Sequence, residues 1–170
     1  YSQGTQEGNL QRSYNAGTTG IIVVDLQADF TEHYDGALAV SGANDAYIKK
    51  VTAATRKFSQ NGCLLFATQD YHPKDHISFY TNHKGKNPMD VITIGDRIQV
   101  LWPPHCVQGS EKAELLMDDA LFEDIARKGM DKNFDSYSGF FDDGGADTGL
   151  DAMLKSRGVK DLLIYGLALD

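Results

Sequence analysis

A strand–helix–strand pattern near the start of the chain restricts the fold more than any other feature. Gly20-Ile21-Ile22-Val23-Val24 is an unbroken apolar run, the pattern of a strand buried on both faces. Asp25 ends it. Residues 31–42 read as loop, punctuated by Gly36 and Gly42. Ile48, Val51, Thr55 and Phe58 then recur at helical spacing, with Lys49, Lys50, Arg56 and Lys57 on the other face. Asn44 suits the N-cap of that helix, and Gly62 suits the position just past its end. A second apolar run, Cys63-Leu64-Leu65-Phe66-Ala67, reads as another buried strand. Strand, helix and strand in this order make a βαβ unit, with parallel strands and a right-handed crossover. Both strands therefore finish on one edge. That puts Asp25 on the same rim as Thr68-Gln69-Asp70-Tyr71-His72, where open α/β sheets place their sites.

On this rim Asp70 and His72 stand two apart, so in extended chain their side chains point to the same side. With His76 four residues on, they make part of a metal shell on one reading and a polar, turn-rich loop on the other. Residues 74–97 hold Gly85, Pro88 and Gly95 with no clear period, the signature of a long functional or mobile loop. It leads to Trp102-Pro103-Pro104-His105-Cys106, where tandem prolines fix the backbone ahead of His105. This is either a histidine held in place or a rigid turn over an aromatic plug. Around residues 118–128 helix formers compete with a third strand ending at Lys128, and the alternation of strands with helices favours the strand. Thr148 with Asp151 resembles a capping box for a further helix that Gly158 ends. Asp161–Tyr165 reads as a buried strand, leading into Gly166-Leu167-Ala168-Leu169-Asp170. Such a small-residue turn normally opens a helix, so the domain is expected to run on beyond Asp170.

Length and charge narrow the classes. The 170 residues, 41% hydrophobic, suit one domain over 20–170 behind a polar, flexible leader at 1–19. A chain opening at Tyr1 rather than Met points to trimming. Sixteen Lys and Arg against 24 Asp and Glu give a net charge of −8 with no basic stripe. That excludes a nucleic-acid surface and an anionic membrane as expected partners. Cys63 and Cys106 are too few for a disulfide framework, which suits the cytoplasm or another reducing compartment.

Five segments follow one another along positions 20–170: Asp25-Leu26-Gln27-x-Asp29-Phe30; Gln69-Asp70-Tyr71-His72-Pro73-x-x-His76-x-Ser78-Phe79; Trp102-Pro103-Pro104-His105-Cys106-Val107-Gln108; Lys128-Gly129 with Asp135-Ser136-Tyr137-Ser138-Gly139-Phe140; and Gly166-Leu167-Ala168-x-Asp170. In this order they resemble the nicotinamidase branch of the isochorismatase-like cysteine hydrolases. The resemblance implies an α/β fold of three layers, α/β/α, with a mostly parallel central sheet. It implies an amidohydrolase that converts nicotinamide to nicotinate and ammonia through a cysteine acyl-enzyme. Of the family's Asp–Lys–Cys triad, Asp25 matches the aspartate and Lys128 the lysine, while the cysteine is expected two residues past Asp170. A cation beside a thiol lowers its pKa, and a carboxylate in reach accepts its proton. The Ala168 backbone amide matches half of the oxyanion hole, at a cis peptide. Asp70, His72 and His105 match the ligands of one divalent metal ion, zinc first, with iron or manganese as alternatives and His76 as a second-rank ligand. Phe30, Trp102 and Tyr137 match the aromatic walls around the ring. Cys106 is expected to be structural. Two rival readings are another small-amide hydrolase of this fold and a non-catalytic ligand binder, and assembly as a homo-oligomer stays open.

Overall fold

The computed structural model describes residues 14–169, and one parallel sheet organises them. In chain order the elements are β1 (Thr19–Val24), α1 (Asp45–Gln60), β2 (Leu64–Asp70), β3 (Val91–Ile94), β4 (Arg97–Val100), β5 (Asp124–Lys128), α2 (Leu150–Ser156) and β6 (Asp161–Gly166). The sheet order is β5-β2-β1-β6, and all its pairings are parallel. Side chains alternate between the faces of a strand, so β1 feeds two cores. Ile21 and Val23 pack with Leu65 and with Val51 of α1. Ile22 packs with Phe66, Ala126 and with Leu150 and Leu154 of α2. The helices thus cover opposite faces, giving the three layers expected.

Local chemistry explains the ends of α1. The Asn44 side chain accepts from the Tyr47 amide at 3.0 Å, and Gly62 just past the helix has φ 87°, a conformation that glycine adopts without steric cost. The strand β2 runs three residues further than its apolar stretch, because β5 supplies partners as far as Asp70 opposite Lys128. Asp70 is therefore the last residue of a buried strand and not the first of a loop. The strand at 124–128 prevails over the helix reading of that region.

Four expectations need correction. Residues 74–97 are not all loop: β3 and β4 form an antiparallel hairpin around Gly95-Asp96, with Gly95 at φ 58°. A two-residue turn with glycine first is a strong hairpin signal. The strand β6 is not buried among the described residues: there β1 alone pairs with it, and Leu162, Leu163 and Ile164 are 45%, 42% and 48% exposed. Thr148 is not the N-cap of a capping box: α2 starts behind Gly149, and the Thr148 hydroxyl donates to the Gly139 carbonyl at 2.6 Å while accepting from the Leu150 N–H at 3.3 Å. Every peptide bond among the described residues is trans, and the turn after β6 is made with Ala168 at φ 46°. Of the expected leader, residues 1–13 lie outside the described residues, Ala16–Thr18 form a 3₁₀ turn and Thr19 opens β1. Among the described residues no helix is long and apolar enough to cross a membrane.

Gln27 secures the rim. Its buried amide donates to the carbonyls of Asp70 and Ala113, each at 2.7 Å, and accepts from the Asp70 N–H at 2.9 Å. Replacing it with alanine strands these backbone groups away from water. Gln27→Ala is expected to cost about 2–4 kcal/mol of unfolding free energy, read from urea denaturation. A loss within about 0.5 kcal/mol, the range of a neutral surface change, would remove the bridge from the account.

Candidate active site

All four parallel strands end on one edge, and each delivers a polar or strained residue there. Asp25 follows β1 at φ 46°, Asp70 ends β2, Lys128 ends β5, and Ala168 follows β6 at φ 46°. Asp25, Asp70 and Lys128 are all buried. The Lys128 ammonium lies 2.9 Å from Asp25 Oδ2, 2.5 Å from Asp70 Oδ1 and 3.2 Å from the Ser136 carbonyl. An ammonium has three donors, and all three are used. The second oxygen of Asp25 accepts from the Thr68 hydroxyl at 2.7 Å.

These neighbours separate the two carboxylates. Burial raises the pKa of Asp25; Lys128 pulls against this, and Asp70 adds to it. Burial also presses on Asp70, but Lys128 and His72 outweigh it and hold its carboxyl well below the usual range. Lys128 loses charge stability to burial and regains more from Asp70 and Asp25, so its pKa stands above the ordinary lysine value.

The free oxygen of Asp70 faces two imidazoles. Its Oδ2 lies 3.4 Å from His72 Nε2 and 3.8 Å from His105 Nε2. Each ring is pinned from behind, His72 Nδ1 by the Gly129 carbonyl at 2.9 Å and His105 Nδ1 by the Pro103 carbonyl at 2.8 Å. Carbonyls only accept, so in the neutral rings Nδ1 carries the proton and Nε2 presents a lone pair. His72 Nε2 is buried and has no hydrogen-bond partner. Three electron-rich atoms that face each other attract a cation. Two ligands about 2.1 Å from one ion stand about 3.0–3.4 Å apart at octahedral or tetrahedral angles. The 3.4 Å separation lies within this range and the 3.8 Å one 0.4 Å beyond it; with the orphaned nitrogen and the carbonyl behind each ring, the set suits a divalent metal.

His76 is placed differently. Its Nδ1 meets the Ser78 hydroxyl at 2.7 Å and its Nε2 the Phe134 carbonyl at 3.0 Å. Its donor atoms group with His72 and Asp135, not with Asp70 and His105, and its ring lies 4.6 Å from that of His72.

Above these groups opens a cavity of about 360 Å³, whose wall includes Phe30, Trp102, Tyr137 and Ala168. Trp102 Nε1 donates to Tyr137 Oη at 3.1 Å and ties two loops together at the mouth. Burial and then Asp135 push the Tyr137 hydroxyl up to about 12. Leu38 and Val40 complete the apolar wall, and Asp135 and Ser136 the polar one. Sequence reasoning missed these four. The signal for the first pair was an alternating apolar doublet inside a polar loop; Asp135 and Ser136 stood beside Tyr137 in the same motif. Cys106 is buried, and burial, followed by Asp70, Asp29 and Asp25, drives its thiol far above the ordinary value. It packs in the buried cluster with Leu26, Phe30 and Ala113, as a reduced core thiol does.

The family model described as Isochorismatase domain matches residues 19–170. A nicotinamidase of Acinetobacter baylyi is 43% identical over 162 residues, which are 94% of this chain and 72% of that protein. The structure of PnC1 from L. infantum in complex with nicotinate superposes with a TM-score of 0.73 at 33% identity, over 92% of this chain and 70% of that one. The pyrazinamidase of Pyrococcus horikoshii in complex with zinc gives 0.68 at 35% identity, over 88% of this chain and 70% of that one.

Gly129 tests the cluster. At φ 66°, a Cβ built on it would stand 2.3 Å from His72 Cε1 and 2.5 Å from Nδ1. Gly129→Ala is expected to displace the ring and weaken zinc binding about 10–100-fold, measured by chelator competition. Unchanged affinity in the folded variant would take His72 out of the metal set.

Proposed function

Since the chain belongs to the isochorismatase family, we propose that it is an amidohydrolase that converts nicotinamide to nicotinate and ammonia. One observation carries this reading. A buried lysine joins two carboxylates at the floor of an apolar cavity, and the second carboxylate turns its free oxygen to two histidines. A general base, a fixed positive charge and a lone-pair-seeking corner are what carboxamide hydrolysis on a pyridine ring requires. The cavity volume is at the small end of ligand sites, in keeping with a single-ring substrate.

Asp70, His72 and His105 would hold one divalent ion, zinc in the first place because the P. horikoshii neighbour is described with zinc. When bound, the ion offers a Lewis-acidic position for the lone pair of a pyridine nitrogen. The remaining roles fall to the chain's own residues. Phe30, Trp102 and Tyr137 hold the faces of the ring and, with Leu38 and Val40, keep water off it. The attacking thiol belongs to the cysteine expected after Asp170. Asp25 takes its proton, and Lys128 steadies the thiolate. The sulfur bonds to the carboxamide carbon, and the Ala168 N–H receives the oxygen as charge develops there. Asp25 then hands its proton to the departing nitrogen, which leaves as ammonia. Water cleaves the thioester to release nicotinate.

The test is ammonia release from nicotinamide by the full-length protein. Asp25→Asn is expected to lower kcat by about 10²–10⁴-fold. Nicotinate binding without ammonia release from the unsubstituted protein would make it a binder. A second outcome follows from the raised Asp25 pKa. The base form is lost as pH falls through that raised value, so the acid limb of kcat/KM lies above the ordinary carboxylate pKa of about 3.9. A rate that stays flat down to that value contradicts the role of Asp25.

A further inference from the structure

Asp29 is buried beside the cavity yet takes no part in the chain of charges around Lys128. Its partners are backbone amides. Oδ2 accepts from the Cys106 N–H at 2.7 Å and Oδ1 from the Ala37 N–H at 3.2 Å, while its own carbonyl accepts from Leu38 at 3.0 Å. Cys106 is the residue after His105 and stands at φ 43°, a left-handed conformation that costs a side-chain-bearing residue about 1–2 kcal/mol. A charge-assisted hydrogen bond holds it there. The Cys106 carbonyl in turn accepts from the His72 N–H at 2.9 Å. One residue is therefore tied on its amide side to Asp29 and on its carbonyl side to His72, and it carries His105 directly before it. The Phe30 ring, one residue past Asp29, meets the His105 ring edge-on at 5.8 Å.

The other oxygen faces the loop that supplies Leu38 and Val40 to the cavity wall. That loop is pressed against Asp29 so closely that a Cβ on Gly36 would lie 2.2 Å from the Asp29 carbonyl oxygen. Any side chain there would push the loop off its anchor.

We propose that Asp29 is a positioning residue: through the Cys106 amide it sets the spacing of the His72 and His105 imidazoles, and through the Ala37 amide it seats the Leu38–Val40 wall over the same cavity. The proposal rests on reading Asp70, His72 and His105 as a metal-binding set. A carboxylate is required because two N–H donors approach its two oxygens. Asparagine offers one acceptor oxygen and turns an NH₂ toward the other donor.

The experiment is zinc titration by chelator competition on the full-length protein and its Asp29→Asn variant, under conditions where circular dichroism shows both folded. The variant is expected to bind zinc about 10–100-fold more weakly. At saturating zinc its KM for nicotinamide is expected to rise by a larger factor than its kcat falls. A general loss of stability does neither. Thr55→Val, which removes a hydroxyl bonded to the Val51 carbonyl and to Tyr165 on the α1 side, serves as the control and is expected to keep the parent's zinc affinity. Zinc affinity within twofold of the parent in folded Asp29→Asn overturns the proposal while leaving the metal reading intact. A parent that binds no zinc overturns both. Should Asp29→Asn not accumulate folded, the parent is titrated with zinc while its ¹⁵N amide resonances are followed. The Ala37 amide then shifts together with that of Cys106 if Asp29 couples them, and a stationary Ala37 overturns the proposal.

Discussion

One buried ammonium holds the rim of this sheet together. Lys128 from β5 reaches Asp25 behind β1 and Asp70 at the end of β2, and the Ser136 carbonyl takes its third proton. Each of these charges is costly to remove from water, and the cost is tolerable only while every partner is in place; losing one partner of such a set costs about 3–5 kcal/mol. The ends of three strands are thereby fixed in register around a common point. The cavity, the imidazole pair and the aromatic walls are all arranged about that point.

Two carboxylates on one cation leave an excess negative charge, and the structure divides it unequally. Asp70 turns its second oxygen to the histidines and remains ionised, while Asp25 is enclosed with Thr68 and is the easier of the two to protonate. The division matches two tasks. In the proposed roles, the carboxylate assigned to hold a cation stays charged, and the one assigned to accept and return a proton is poised to do so. Polar residues with opposed pKa shifts at the C-terminal edge of a parallel sheet are what distinguish this rim from the opposite end of the same strands.

Much of this was legible in the residues. The apolar run before Asp25 and the helical spacing of Ile48, Val51, Thr55 and Phe58 were enough to place β1, α1 and β2, because burial on both strand faces and on one helix face writes itself into spacing. The placement of Asp25 and Asp70 on one rim followed from parallel topology alone. The identities of the other site residues came from the resemblance, since nothing local marks Lys128 or Trp102 as part of a cavity. What escaped was determined by tertiary partners. Asp70 belongs to a strand only because β5 pairs with it. Leu38 and Val40 lie in a loop whose apolar character has meaning only beside Phe30 and Asp29. The exposure of β6 depends on which neighbours a strand has, and a run such as Leu162-Leu163-Ile164 does not state that.

The central claim is that a single lysine holds two buried carboxylates in different protonation regimes. Carboxyl ¹³C resonances of aspartate-labelled protein, followed across an acid titration and assigned with Asp25→Asn and Asp70→Asn, test it directly. The account predicts that Asp25 titrates above the ordinary carboxylate value of about 3.9 and Asp70 below it. Coincident titration of both at the ordinary value, or the reverse order, would contradict it.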